Sequence, residues 1–112
     1  MRFLFSLFLS FFSVYTLSSN SSFAQEIDLD AGEQVFSQNC AACHSGGNNS
    51  VNPDKSLKFE DLNKYDKCSI EKIKYQVENG YGPMPAFADR LSEEEIFNVA
   101  HFVLSQAKNN TW

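Results

Sequence analysis

Ile96, Val99, Ala100, Val103, Leu104 and Ala107 recur at spacings of three and four, which places them along one face of an α-helix. Ser92-Glu93-Glu94-Glu95 just before them is a capping box, so this terminal helix has a defined start. A shorter stripe of Ile70, Ile73 and Val77 follows Ser69, a capping residue, and Asn79-Gly80 signals its end. Upstream, Asp30-Ala31-Gly32-Glu33 reads as a capping box with Asp30 as the cap, opening a first helix that holds Val35 and Phe36 and runs to about Cys40. Gly32 is unfavourable inside a helix, and close approach of another helix is the reason expected for it. Ser56 to Lys64 reads as a short helical piece with Leu57 and Leu62 inward. Gly46-Gly47-Asn48-Asn49-Ser50 and Pro53 mark a loop before it. No segment alternates as a strand does, so the expectation is a small all-α domain of about four helices, with the first and last packed together.

The chain begins differently. Arg2 precedes a run from Phe3 to Leu17 that is apolar apart from scattered hydroxyls, and Ser22-Phe23-Ala24 has small residues where an export peptidase cuts. More than half of the eleven Phe fall before position 25. The apolar run is short of the roughly 20 residues needed to span a bilayer, so residues 1–24 are expected to be a cleaved export signal rather than an anchor. Residues 25–112 then form the mature domain. That length supports only a thin side-chain core, and a disulfide, metal or cofactor is expected to reinforce it.

Charge narrows the partners. Nine basic against fourteen acidic residues give a net charge of -5, and losing Arg2 makes the remainder more acidic still. Such a surface repels nucleic-acid phosphates and anionic membranes alike, so neither is a partner.

Three cysteines remain after export, Cys40, Cys43 and Cys68, an odd number that cannot close a disulfide framework within one molecule. Cys40-Ala41-Ala42-Cys43-His44 has the Cys-x-x-Cys-His pattern of c-type haem attachment. The pair lies on one side of a helical turn, where each thiol can add to one vinyl group, and His44 follows as the proximal iron ligand. A zinc half-site, a thioredoxin-like redox pair and an ordinary disulfide compete. Zinc would need Cys68 and His101 at no recognisable metal spacing, and a redox pair would normally sit in an alternating strand and helix pattern that is missing here. The haem reading is preferred, and the porphyrin then supplies much of the missing core.

The other face of the iron decides between carrying electrons and doing chemistry. Once Met1 leaves with the signal, Met84 is the remaining thioether, within Gly80-Tyr81-Gly82-Pro83-Met84-Pro85-Ala86-Phe87. Two glycines allow tight approach and two prolines stiffen the loop, which suits an axial ligand; gap-filling in the core is the ordinary alternative for a lone Met. His101 lies well off the centre of the terminal helix's apolar stripe and is expected to point sideways or outward rather than to iron. Cys68 is expected to be a free, shielded thiol.

These residues together resemble the class I cytochromes c, and within them the cytochrome c6 (cytochrome c-553) family of algae and cyanobacteria. The similarity rests on Gly32 and Phe36, Asn39-Cys40-Ala41-Ala42-Cys43-His44, Gly46-Gly47-Asn48-Asn49, Tyr75-Gln76-Val77 with Asn79-Gly80, Met84-Pro85-Ala86-Phe87, Arg90-Leu91, Phe102-Val103-Leu104 and Trp112. Ala88-Asp89 departs from it, standing where the family carries a Gly pair. The resemblance implies a class I cytochrome c fold around one covalently bound haem c, held by thioethers to Cys40 and Cys43, with His44 and Met84 on the iron. It also implies that Gln76 faces the haem and raises its potential, and that Arg90 belongs to the docking surface. The implied role is that of a soluble, monomeric electron carrier of the plastid thylakoid lumen, not an enzyme, docking transiently to take electrons from the cytochrome b6f complex and deliver them to photosystem I. The alternatives are a periplasmic carrier feeding a terminal oxidase or peroxidase, and a haem peroxidase or sensor with an open sixth position.

Overall fold

A computed structural model describes residues 25–112; the expected export signal lies outside the described residues. Five α-helices follow in order: α1 (Leu29–Asn39), α2 (Ala41–His44), α3 (Phe59–Lys64), α4 (Ile70–Asn79) and α5 (Glu93–Asn109), with a 3-10 turn at Ser45–Gly47 after α2. The fifth helix beyond the four expected is the single turn that carries the Cys-x-x-Cys-His motif. Among the described residues there is no strand, and one isolated antiparallel bridge joins Tyr81 to Met84.

The caps explain the boundaries. Ser92 accepts from the Glu95 amide at 3.1 Å while the Glu95 carboxylate accepts from the Ser92 amide at 3.0 Å, the reciprocal box expected for α5. Ser69 accepts from the Lys72 amide at 3.2 Å, as expected for α4. The cap of α1 is corrected from Asp30 to Asp28, whose carboxylate accepts from the Ala31 amide at 3.0 Å, so Asp30 falls inside the first turn. The reason is tertiary. The Asp28 amide donates at 3.2 Å to the side-chain oxygen of Asn98, a buried residue of α5, and this fixes where the chain turns into α1. The short helix starts at Phe59 rather than Ser56, because the Ser56 hydroxyl is engaged in a turn, donating to Asp61 at 2.6 Å and accepting from the Lys58 amide at 3.2 Å.

Helix α5 is packed against both α1 and α4. Where α1 and α5 meet, Gly32 lies so close to the Asn98 carbonyl and the Phe102 Cβ that a side chain of any size would collide, the close approach expected for it. The core joins Val35 and Phe36 of α1, Ile73 and Val77 of α4, Phe87 and Leu91 of the connecting loop, and Ile96, Val99, Ala100, Phe102 and Val103 of α5. Phe36 stacks at 5.4 Å from Phe102 and 5.3 Å from Trp112, and the Trp112 indole donates to the Leu57 carbonyl at 3.1 Å. The C-terminal residue thereby ties α1 and α5 to the loop after the cysteine motif. Leu62 of α3 is buried outside the main cluster, and Leu57 is half-buried against it.

His101 is half-buried beside Phe97, ring centroids 4.4 Å apart. Burial lowers its pKa below the ordinary 6.5; Lys74 of α4 adds to the depression and Glu71 opposes it. The unfolded chain therefore takes up that proton first, so the contribution of His101 to stability is full above pH 6.5 and is lost as pH falls through its lowered value. Replacing His101 by Gln should flatten the stability profile between pH 6.5 and that lowered value in denaturant titrations, and an unaltered slope would refute the assignment.

Candidate functional site

Helix α1 ends at Cys40, whose amide still donates to the Phe36 carbonyl at 2.8 Å while its own carbonyl accepts from His44 at 2.9 Å and from Cys43 at 3.2 Å. This tight turn puts both thiols and the imidazole on the wall of one cavity. Cys40 is half-buried and Cys43 exposed, and neither is in a disulfide. Burial pushes the Cys40 thiol up to about 11, so at neutral pH it is a protonated neutral group among apolar neighbours.

His44 is oriented by the backbone. Its Nδ1 lies 2.8 Å from the Asn48 carbonyl, which can only accept, so Nδ1 carries the proton and Nε2 keeps its lone pair for a metal. The carbonyl is brought there by the Ser45–Gly47 turn, closed by the Asn48 amide on Ser45 at 3.3 Å. Nothing in a side-chain pattern announces such a partner, and the glycine pair was its only trace in the sequence.

Met84 enters the same cavity from the loop after α4. Gly80 ends α4 at φ +68°, close under the Met84 carbonyl, a conformation and a clearance that exclude a side chain. Tyr81 and Met84 then exchange two backbone hydrogen bonds of 3.0 Å, and the Phe87 amide returns to the Val77 carbonyl at 2.9 Å. Gln76, half-buried on α4, donates its amide to the Met84 sulfur at 3.5 Å. Ala88-Asp89 forms its turn without positive φ, and both Arg90 and Leu91 amides close on Phe87 at 2.9 Å. Arg90 lies over the Phe87 ring at 5.5 Å and also lines the cavity.

The cavity holds about 850 Å³ and is walled by Phe36, Leu57, Leu62, Ile73, Val77 and Val103 among others. That volume falls in the roughly 300–1,000 Å³ range of cofactor sites. The donor set suits a porphyrin with iron: two thiols, an imidazole oriented through Nδ1, and a soft thioether. Cys68 and His101 do not line it, and among the described residues no three His, Cys, Asp or Glu side chains gather as a metal site. The zinc reading therefore has no second pair of ligands here.

Residues 27–103 match the family described as cytochrome C oxidase, cbb3-type, subunit III. The chain is 49% identical over 103 residues to cytochrome c6 of the alga Gracilaria tenuistipitata var. liui, covering 92% of this chain and 95% of that protein. The chain belongs to the cytochrome c6 family. Chloroplastic cytochrome c6 of Chlamydomonas reinhardtii is 52% identical over 98 residues, 86% of this chain and 66% of that one. The crystal structure of cytochrome c6 from the diatom Phaeodactylum tricornutum superposes with a TM-score of 0.73 at 48% identity, over 76% of this chain and 99% of that one. The all-helical class I fold expected from the sequence is thus the family's own. A cytochrome c6 carries electrons on one covalently attached c-type haem, and that is the cofactor of this chain. No described helix is long and apolar enough to cross a membrane.

Proposed function

We propose that this cytochrome c6 takes single electrons from the cytochrome b6f complex and delivers them to photosystem I in the thylakoid lumen, after removal of residues 1–24. The observation that carries the reading is the placement of His44 and Met84 on one cavity with Cys40 and Cys43 at its edge. In this reading Cys40 and Cys43 would hold the haem as thioethers, and His44 and Met84 would bind its iron. Haem supplies the one-electron iron couple when bound there. Met84 on the iron would keep substrate away from it, and its soft neutral sulfur would favour the reduced state. The apolar walls keep water out and raise the potential further. Gln76 holds the sulfur with its amide proton. No substrate is turned over, and the protein works as a monomer that docks briefly.

Reduction of purified photosystem I after a flash tests the circuit, with a visible redox titration reporting haem attachment and ligation alongside. A periplasmic circuit ending at a terminal oxidase is the second reading, favoured by the family description matched over residues 27–103. Turnover with an oxidase but none with photosystem I would select it.

Substituting Gln76 by Val removes the donor to sulfur, so the midpoint potential should fall while the sulfur-to-iron charge-transfer band stays. A potential equal to the parent's would remove Gln76 from the set of tuning residues. The acidic excess, which grows when Arg2 is removed, implies steering toward a basic partner face, so the second-order rate should decline as salt rises. A rate indifferent to ionic strength would mean that charge plays no part in encounter.

A further inference from the structure

Three separate segments form one rim of the cavity: the loop before α3, which carries Lys55, the residue after α3, Tyr65, and the Met84 loop at Tyr81. The Lys55 ammonium lies 5.4 Å from the centroid of the Tyr65 ring and 5.3 Å from that of Tyr81, both within cation–π range. Lys64 also lies over Tyr65, at 5.5 Å, but it neighbours Tyr65 in the chain and bridges nothing. The backbone of Lys55 is itself fixed, its amide donating to Asn52 at 2.9 Å and its carbonyl accepting from the Asn49 side chain at 2.9 Å. Asn49 in turn accepts from the amides of Val51 and Asn52 at 3.1 and 2.9 Å, so the loop presents Lys55 from a rigid base.

Tyr81 is the member that matters for the iron. Its side chain is 72% exposed, so core packing does not hold the ring in place. Its backbone, however, is tied to Met84 by both hydrogen bonds of the bridge. Whatever restrains Tyr81 restrains Met84.

We propose that Lys55 is a positioning residue for the sixth ligand, a cationic bracket that clasps Tyr65 and Tyr81 across the cavity rim and thereby slows the departure of Met84 from iron. The proposal rests on the reading of Met84 as axial ligand. It accounts for an exposed tyrosine next to that ligand and for a lysine seated between two rings contributed by distant parts of the chain. The bracket touches neither iron nor sulfur. It acts on the opening of the loop, so it changes the lifetime of the closed state more than its spectrum.

The test is the rate at which imidazole displaces Met84 in the oxidised holoprotein, followed by loss of the sulfur-to-iron charge-transfer band. Lys55→Met and Tyr81→Leu should each accelerate displacement, by up to about tenfold, and the double variant should add little to either single one. Lys55→Arg and Tyr81→Phe keep a cation and a ring and should restore the parent rate. Hydrogen exchange at the Tyr81 and Met84 amides should quicken in the same variants. Parent-like rates and protection in Lys55→Met and Tyr81→Leu would overturn the bracket. So would acceleration in Lys55→Met alone, which would assign the effect to the charge of the lysine. If the parent lacks the charge-transfer band, the ligation reading fails instead, and amide exchange still decides whether Lys55 restrains the loop.

Discussion

Replacing Met84 by Ala should abolish the sulfur-to-iron charge-transfer band of the oxidised protein and lower the midpoint potential by a sizeable fraction of the roughly 0.8 V that axial ligands span. Met84 is the one thioether on the cavity wall, and Cys68 and His101 lie away from it, so no other soft or imidazole donor stands ready to replace the sulfur. The vacated position should admit water and external ligands, giving a protein that binds cyanide readily and, in the proposed circuit, fails to reduce photosystem I. The turn at Gly80 and the backbone bonds of the loop do not need the sulfur, so the helical circular dichroism of the variant should match the parent's. An oxidised spectrum unchanged from the parent's would show that sulfur was never on the iron, and would revive the open-site alternatives.

The second large effect is on stability and lies far from the iron. Substituting Gly32 by Ala gains up to about 1 kcal/mol of helix propensity. The new methyl, however, collides with the Asn98 carbonyl and with the Phe102 Cβ. Neither is the loose end of a flexible side chain: one is α5 backbone and the other is the root of a core aromatic. Overpacking costs about 1–3 kcal/mol, and contact with a helix backbone that cannot swing aside puts this site at the upper end, so after the propensity gain a net loss of about 2 kcal/mol is expected, and more for Val. In a domain of this size that lowers the melting temperature by on the order of 10 °C. Thermal unfolding of the holoprotein measures it, and a melting point at or above the parent's would mean that α1 and α5 have room to separate.

The parts of this molecule that were legible in sequence are those written in neighbouring residues. Ser69 and Ser92 cap their helices because their partners lie three positions away, and the cysteine motif is legible because its geometry is a single turn. The stripe of α5 located the core but not Asn98 or Phe102, which are also buried there: Asn98 is buried for a hydrogen bond to the start of α1, and Phe102 for the aromatic contact with Phe36. The misplaced cap at Asp30 has the same origin. Two aspartates stand two positions apart in sequence, each a competent cap, and the choice is made by a residue seventy positions from Asp28. At the site, the side chains converging on the cavity were recognisable by type. Their orienting partners were not, because the one that holds His44 is a backbone carbonyl and the bridge that holds Met84 is backbone on both sides.

Trp112 is the single tryptophan of the chain, and it rests on Phe36, a wall of the cavity. Its emission should therefore be quenched by energy transfer whenever porphyrin is attached and should brighten when the C-terminus peels away. That gives an optical gauge of maturation and fraying without any added label.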